Sequence, residues 1–121
     1  MVESKVNPSR RLGFERMKYL DMANLAFAEQ NWIGCRGYLD AFLETIREDT
    51  ATADKIKQEF DQIEQERKEQ KKQLEDEVSS MGFLEQRDMM ERGNTQIEME
   101  YVHSQKTVCW KVAITDGLFN E

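Results

Sequence analysis

The chain is poor in the residues that carry most enzyme chemistry. It holds one histidine, His103, two cysteines, Cys35 and Cys109, and one proline, Pro8. A single histidine leaves few routes to a Ser–His or Cys–His pair. The cysteines lie far apart with no CxxC spacing, which excludes a zinc cluster or a disulfide framework and predicts a reducing, cytoplasmic setting. No run of apolar residues is long enough for a helical membrane span, and the first residues lack the apolar block of a signal peptide. There is no Walker loop, GxSxG or HExxH. The two glycines of "GCRGYL" (34–39) do not form GxGxxG and follow no predicted strand, so a dinucleotide site is excluded. These absences predict a protein that is not an enzyme and has no cofactor.

What the sequence does have is charge and helix formers. Of its 121 residues 34% are charged and 39% hydrophobic, with a net charge of −7. Glu, Gln, Lys, Met and Leu suit helices better than sheets. The charge is uneven, with a basic head (Lys5, Arg10, Arg11, Arg16, Lys18) ahead of an acidic body. An acidic body repels phosphate backbones, so direct nucleic-acid binding is disfavoured. A helix-turn-helix reading of "LAFAEQNWIGCRGYLDAF" (25–42) fails likewise, because Arg36 stands among Asp21, Glu29, Asp40 and Glu44.

The order of elements follows from caps and periods. Residues 1–8 read as a loose leader, with Asn7-Pro8 opening the first helix. Two helices over 9–47 form an antiparallel hairpin that turns near Asn31. The first carries apolar residues around so much of its circumference that it should be buried on more than one side. The second repeats Trp32, Cys35, Leu39, Phe42, Leu43 and Ile46 at helical spacing. Thr50 or Thr52 is expected to cap a long charged helix over 52–79, whose steps Ile56, Phe60 and Ile63 are heptad-like. Its frame continues through Arg67 and Gln70 to Leu74. Ten residues in its middle, "EQERKEQKKQ" (64–73), include no apolar one, so this stretch is either solvated or covered by a second copy through a polar seam.

The remaining element, 82–121, is ambiguous. "SSMG" (79–82) and "ERGNT" (91–95) both read as helix ends. Beyond them Ile97, Tyr101, Val102, Val108, Cys109, Val112 and Ala113 share one helical face. Val108, Trp110, Val112 and Ile114 also alternate at period two, so a β-hairpin over 96–115 is the rival reading. The expected fold is therefore an all-α bundle of four or five helices in one domain, with α+β as the alternative.

Three features could carry chemistry or recognition. Glu100 and His103 have the ExxH spacing of carboxylate-bridged metal bundles, although both fall on the polar side of the helical wheel. Cys35, beside Arg36 in a first helical turn, could be modestly activated, whereas Cys109 reads as core. Gly34 and Gly37 lie on one face of the second helix, which predicts close packing against Ala23 and Ala26 and a destabilised fold in Gly37→Leu. Such small faces meeting across a tight turn resemble a single helical hairpin of tetratricopeptide-type or HEPN-type proteins, over about 30 residues. The pattern has no second copy and the HEPN Arg…His spacing is absent, so the resemblance implies a hairpin and no activity.

Trp32, Trp110 and the Leu118-Phe119 tail add apolar surface that a small core would not cover. The functional expectation is a small acidic scaffold, adaptor or assembly subunit, with protein partners and self-association through helix–helix contacts. An accessory subunit or acidic inhibitor of a nucleic-acid-processing machine and a carboxylate/His metal bundle are the alternatives.

Overall fold

The structure, a computed structural model, describes residues 8–119 in the backbone and 12–119 in the side chains. The expected leader falls, apart from Pro8, outside the described residues. Four helices follow one another: α1 (Pro8–Ala28), α2 (Trp32–Thr45), α3 (Thr50–Val78) and α4 (Phe83–Thr115). The described residues contain no strand, so the fold is all-α and the β-hairpin alternative over 96–115 is not supported. The helical face decides that competition. Ile97, Tyr101, Val102, Val108, Cys109, Val112 and Ala113 are all buried, while Ile114, which the two-residue alternation would pair with them, is exposed.

Backbone groups at the joints explain where each helix stops. At the end of α1, Gln30 takes a left-handed φ of 61°, and its N–H and that of Asn31 return to the carbonyls of Phe27 and Ala26. This is the double-bonded helix stop that ordinarily uses glycine. Asn31 then caps α2, accepting the Gly34 N–H at 2.9 Å. Asp49, not Thr50 or Thr52, caps α3. Its carboxylate accepts the Thr52 N–H at 3.2 Å and the Thr52 hydroxyl at 2.9 Å. The end of α4 repeats the α1 stop with Gly117 at φ 65° and the Leu118 N–H bonded to Ala113.

α1 pairs with α2, α3 pairs with α4, and the second half of α4 packs against α1 and α2. The main core gathers Leu20 and Ala23 from α1, Cys35, Leu39 and Phe42 from α2, Ile56 from α3 and Val102, Cys109 and Ala113 from α4. Beyond it the α3–α4 pair projects as a two-helix arm. "ERGNT" does not interrupt that arm, and α4 runs through it unbroken. Gly93 serves packing instead, since a β-carbon there would lie 2.6 Å from a methyl of Leu74. One face of the polar middle of α3 (Glu64, Arg67, Gln70 and Lys71) is therefore partly covered by the chain's own α4, while the rest of that stretch is exposed. Arg67 reaches Glu98 at 2.7 Å and stacks 4.4 Å over the Tyr101 ring, and Gln70 faces Glu100. Past this polar layer, Leu74, Val78 and Ile97 form a second small cluster with Met81, Met89 and Met90.

Two latches tie α1 and the segment that follows α4 to the bundle. The buried Arg16 guanidinium donates to the carbonyls of Thr45 and Leu118, each at 3.1 Å. The Asp116 carboxylate meets Lys55 at 3.0 Å and the Thr52 hydroxyl at 3.0 Å. No helix among the described residues is long and apolar enough to cross a membrane.

Candidate functional site

The surface most in need of explanation is the outer face of α1. Leu20, Ala23 and Ala26 are buried on the inner face. On the opposite side Phe14 is 62% exposed, Leu25 55% and Met17 39%. Phe14, Lys18, Asp21 and Leu25 follow one another at steps of four, three and four, within about 60° of arc on a regular helix. Lys18 and Asp21 are exposed as well. A helix expected to be buried on more than one side thus has one side covered within its own chain.

A second apolar surface lies at the far end of the arm, where Phe83 and Leu84 begin α4 almost fully exposed beside the partly buried Met81. Glycine 82 caps α4 with no side chain, and Gln86 closes the turn by donating to the carbonyls of Met81 and Ser79.

The residues singled out in the sequence are distributed differently. Gly34 and Gly37 do not face the alanine stripe. Gly34 abuts the capping side chain of Asn31, and a β-carbon at Gly37 would meet nothing within 4 Å. Ala23 and Ala26 instead belong to the main core cluster together with Leu39 and Phe42 of α2 and Val102 and Cys109 of α4. Leu118 is buried in the core and offers no surface. Trp32 is half-buried against Phe27, 5.0 Å between ring centroids, and Trp110 against Phe119 at 5.7 Å. Of these four residues Leu118 is taken up by the core, while Trp32, Trp110 and Phe119 are partly buried, the first through the α1–α2 contact and the other two where the segment after α4 folds back.

Glu100 and His103 share a turn of α4 but point to different partners. Glu100 accepts from Gln70 and Gln96, and the His103 ring lies 5.4 Å from that of Phe27. Among the described residues no three potential ligands come together. The cysteines are buried thiols. Burial pushes Cys109 up to about 12, with Cys35 and Asp40 adding to the effect. Burial also raises Cys35, against the pull of Lys106, so the activation expected from Arg36 is overturned by desolvation.

No family model matches the chain, and neither the curated proteins nor the solved structures contain a match.

Proposed function

We propose that the protein is a non-enzymatic interaction subunit that assembles through helix–helix contacts, self-association among them. The observation that supports this reading is the outer face of α1, where Phe14, Met17 and Leu25 remain in solvent although the inner face already supplies the core. Apolar residues scattered singly on a surface need no explanation, but three along one helix face form a strip of the kind that marks contact sites. The tip residues Phe83 and Leu84 provide a second point of attachment, held away from the body by the arm. A body with one sticky helix and one sticky arm suits a scaffold or adaptor.

Sedimentation velocity over a wide concentration range tests the reading. Reversible association is expected, weakened by Phe14→Glu and Leu25→Glu together. A strict monomer at high concentration overturns it.

A further inference from the structure

We infer that a second copy of this chain docks on the outer face of α1, with the two α1 helices antiparallel about a two-fold axis between Lys18 and Asp21. The inference rests on the assembly reading above and adds the partner, its orientation and the residues that select it.

The pattern on the face is self-complementary in one direction only. Phe14, Lys18, Asp21 and Leu25 are spaced four, three and four, the step pattern of a helix–helix seam. A two-fold axis at the midpoint of this seam puts Phe14 of one copy opposite Leu25 of the other, and Lys18 opposite Asp21. Apolar meets apolar at both ends, and opposite charges meet twice at the centre. A parallel pairing would set Lys18 on Lys18 and Asp21 on Asp21, which costs energy at both layers. An isologous contact needs one patch that complements itself, and this face has that property. All four side chains are exposed, and within the chain neither Lys18 nor Asp21 forms an ion pair with a described residue. Met17 flanks the seam and widens its apolar part.

Charge reversal tests the geometry. Lys18→Asp leaves two acidic residues per copy, four at the centre of the dimer seam, and Asp21→Lys leaves four basic ones. Each variant should dimerise about tenfold or more weakly than the wild type, since two symmetric pairs turn repulsive at once. Circular dichroism should be unchanged, because both positions lie in solvent. Mixed in equal amounts, the two variants should form a 1:1 heterodimer, measured by native mass spectrometry with one partner isotope-labelled. The mixture separates contact between copies from ion pairing within one helix, which mixing cannot restore.

If the wild type dimerises and both single variants dimerise equally well, or if the mixture stays monomeric, the antiparallel α1 contact is wrong while assembly through another surface still stands. If the wild type itself never associates, both fail together.

Discussion

Glycine substitutions resolve at the level of single residues what a glycine is for. Gly37 was expected to be a contact, but a side chain there enters open space. Gly37→Ala should therefore stabilise the protein by about 0.5–1 kcal/mol, the helix-propensity difference, and raise the melting temperature by a few degrees. Gly13 lies on α1 where the returning tail crosses, and a β-carbon would sit 2.7 Å from the Phe119 carbonyl oxygen. That oxygen belongs to backbone and has little room to move. Gly13→Ala should accordingly cost about 1–2 kcal/mol despite the better propensity, because the tail must shift away from Arg16, which holds the neighbouring Leu118 carbonyl. Thermal melts of the two variants should move in opposite directions; a stabilised Gly13→Ala would mean that the tail does not hold this position.

The helices themselves were largely legible. Trp32 and Asn31 marked the first joint, and the repeat through Ile56, Phe60 and Ile63 marked α3. The capping signal before α3 was legible only in kind, since Asp and Thr crowd residues 49–52 and the choice among them depends on which carboxylate the turn aims at the Thr52 N–H. What could not be read was the path of α4 through Gly93. A glycine between Arg92 and Asn94 has the composition of a helix end, and only the leucine across the arm shows why it lies mid-helix. That misreading also hid the cover over α3, leaving its polar middle without a partner. The outer stripe of α1 was missed for a related reason. Periodicity showed a helix apolar on several sides, but which side remained outside depended on where α2 and α4 came to rest. The spacing of Phe14, Lys18, Asp21 and Leu25 was the available signal.

The arm carries a consequence at the same scale. Its cluster around Leu74 is small and separated from the main core by the Arg67–Glu98 layer, where Arg67 Nε and Glu98 Oε2 are buried without hydrogen-bond partners among the described residues. Such a unit should open without unfolding the body. Leu74→Ala should cost the arm about 2 kcal/mol, so amide exchange there should quicken on the order of 30-fold. Amides around Leu39 and Val102 should keep their protection. Uniformly faster exchange through all four helices would show that arm and body open as one.

Across the whole molecule, titratable groups at three places set the range of pH in which the bundle is most stable. Lys55 holds the Asp116 carboxyl below the usual carboxylate range, with Thr52 helping, and the Tyr101 hydroxyl does the same for Glu64, with Arg67 assisting. A lowered folded-state pKa adds stability above the unfolded value, near pH 4, and loses it as the pH falls through the folded value. The acid side should therefore decline below about pH 4. On the alkaline side the sign reverses. Burial raises Cys109 to about 12 and also raises Cys35 and Tyr101. These groups favour the fold while protonated, so their contribution is complete below the unfolded thiol value of about 8.5 and is lost as the pH climbs toward the folded one. Urea midpoints should be flat between about pH 5 and 8 and fall above about pH 9, with Cys109 contributing a slope approaching ~1.4 kcal/mol per pH unit. Cys109→Ala lowers stability at neutral pH by opening a small void, yet it should flatten the alkaline decline measured between about pH 8.5 and 10. The slope and not the height of the curve is the diagnostic, because a cavity costs the same at every pH while a buried thiol does not. An alkaline slope left unchanged in Cys109→Ala would place the titrating group elsewhere, with Tyr101 and Cys35 next to be substituted.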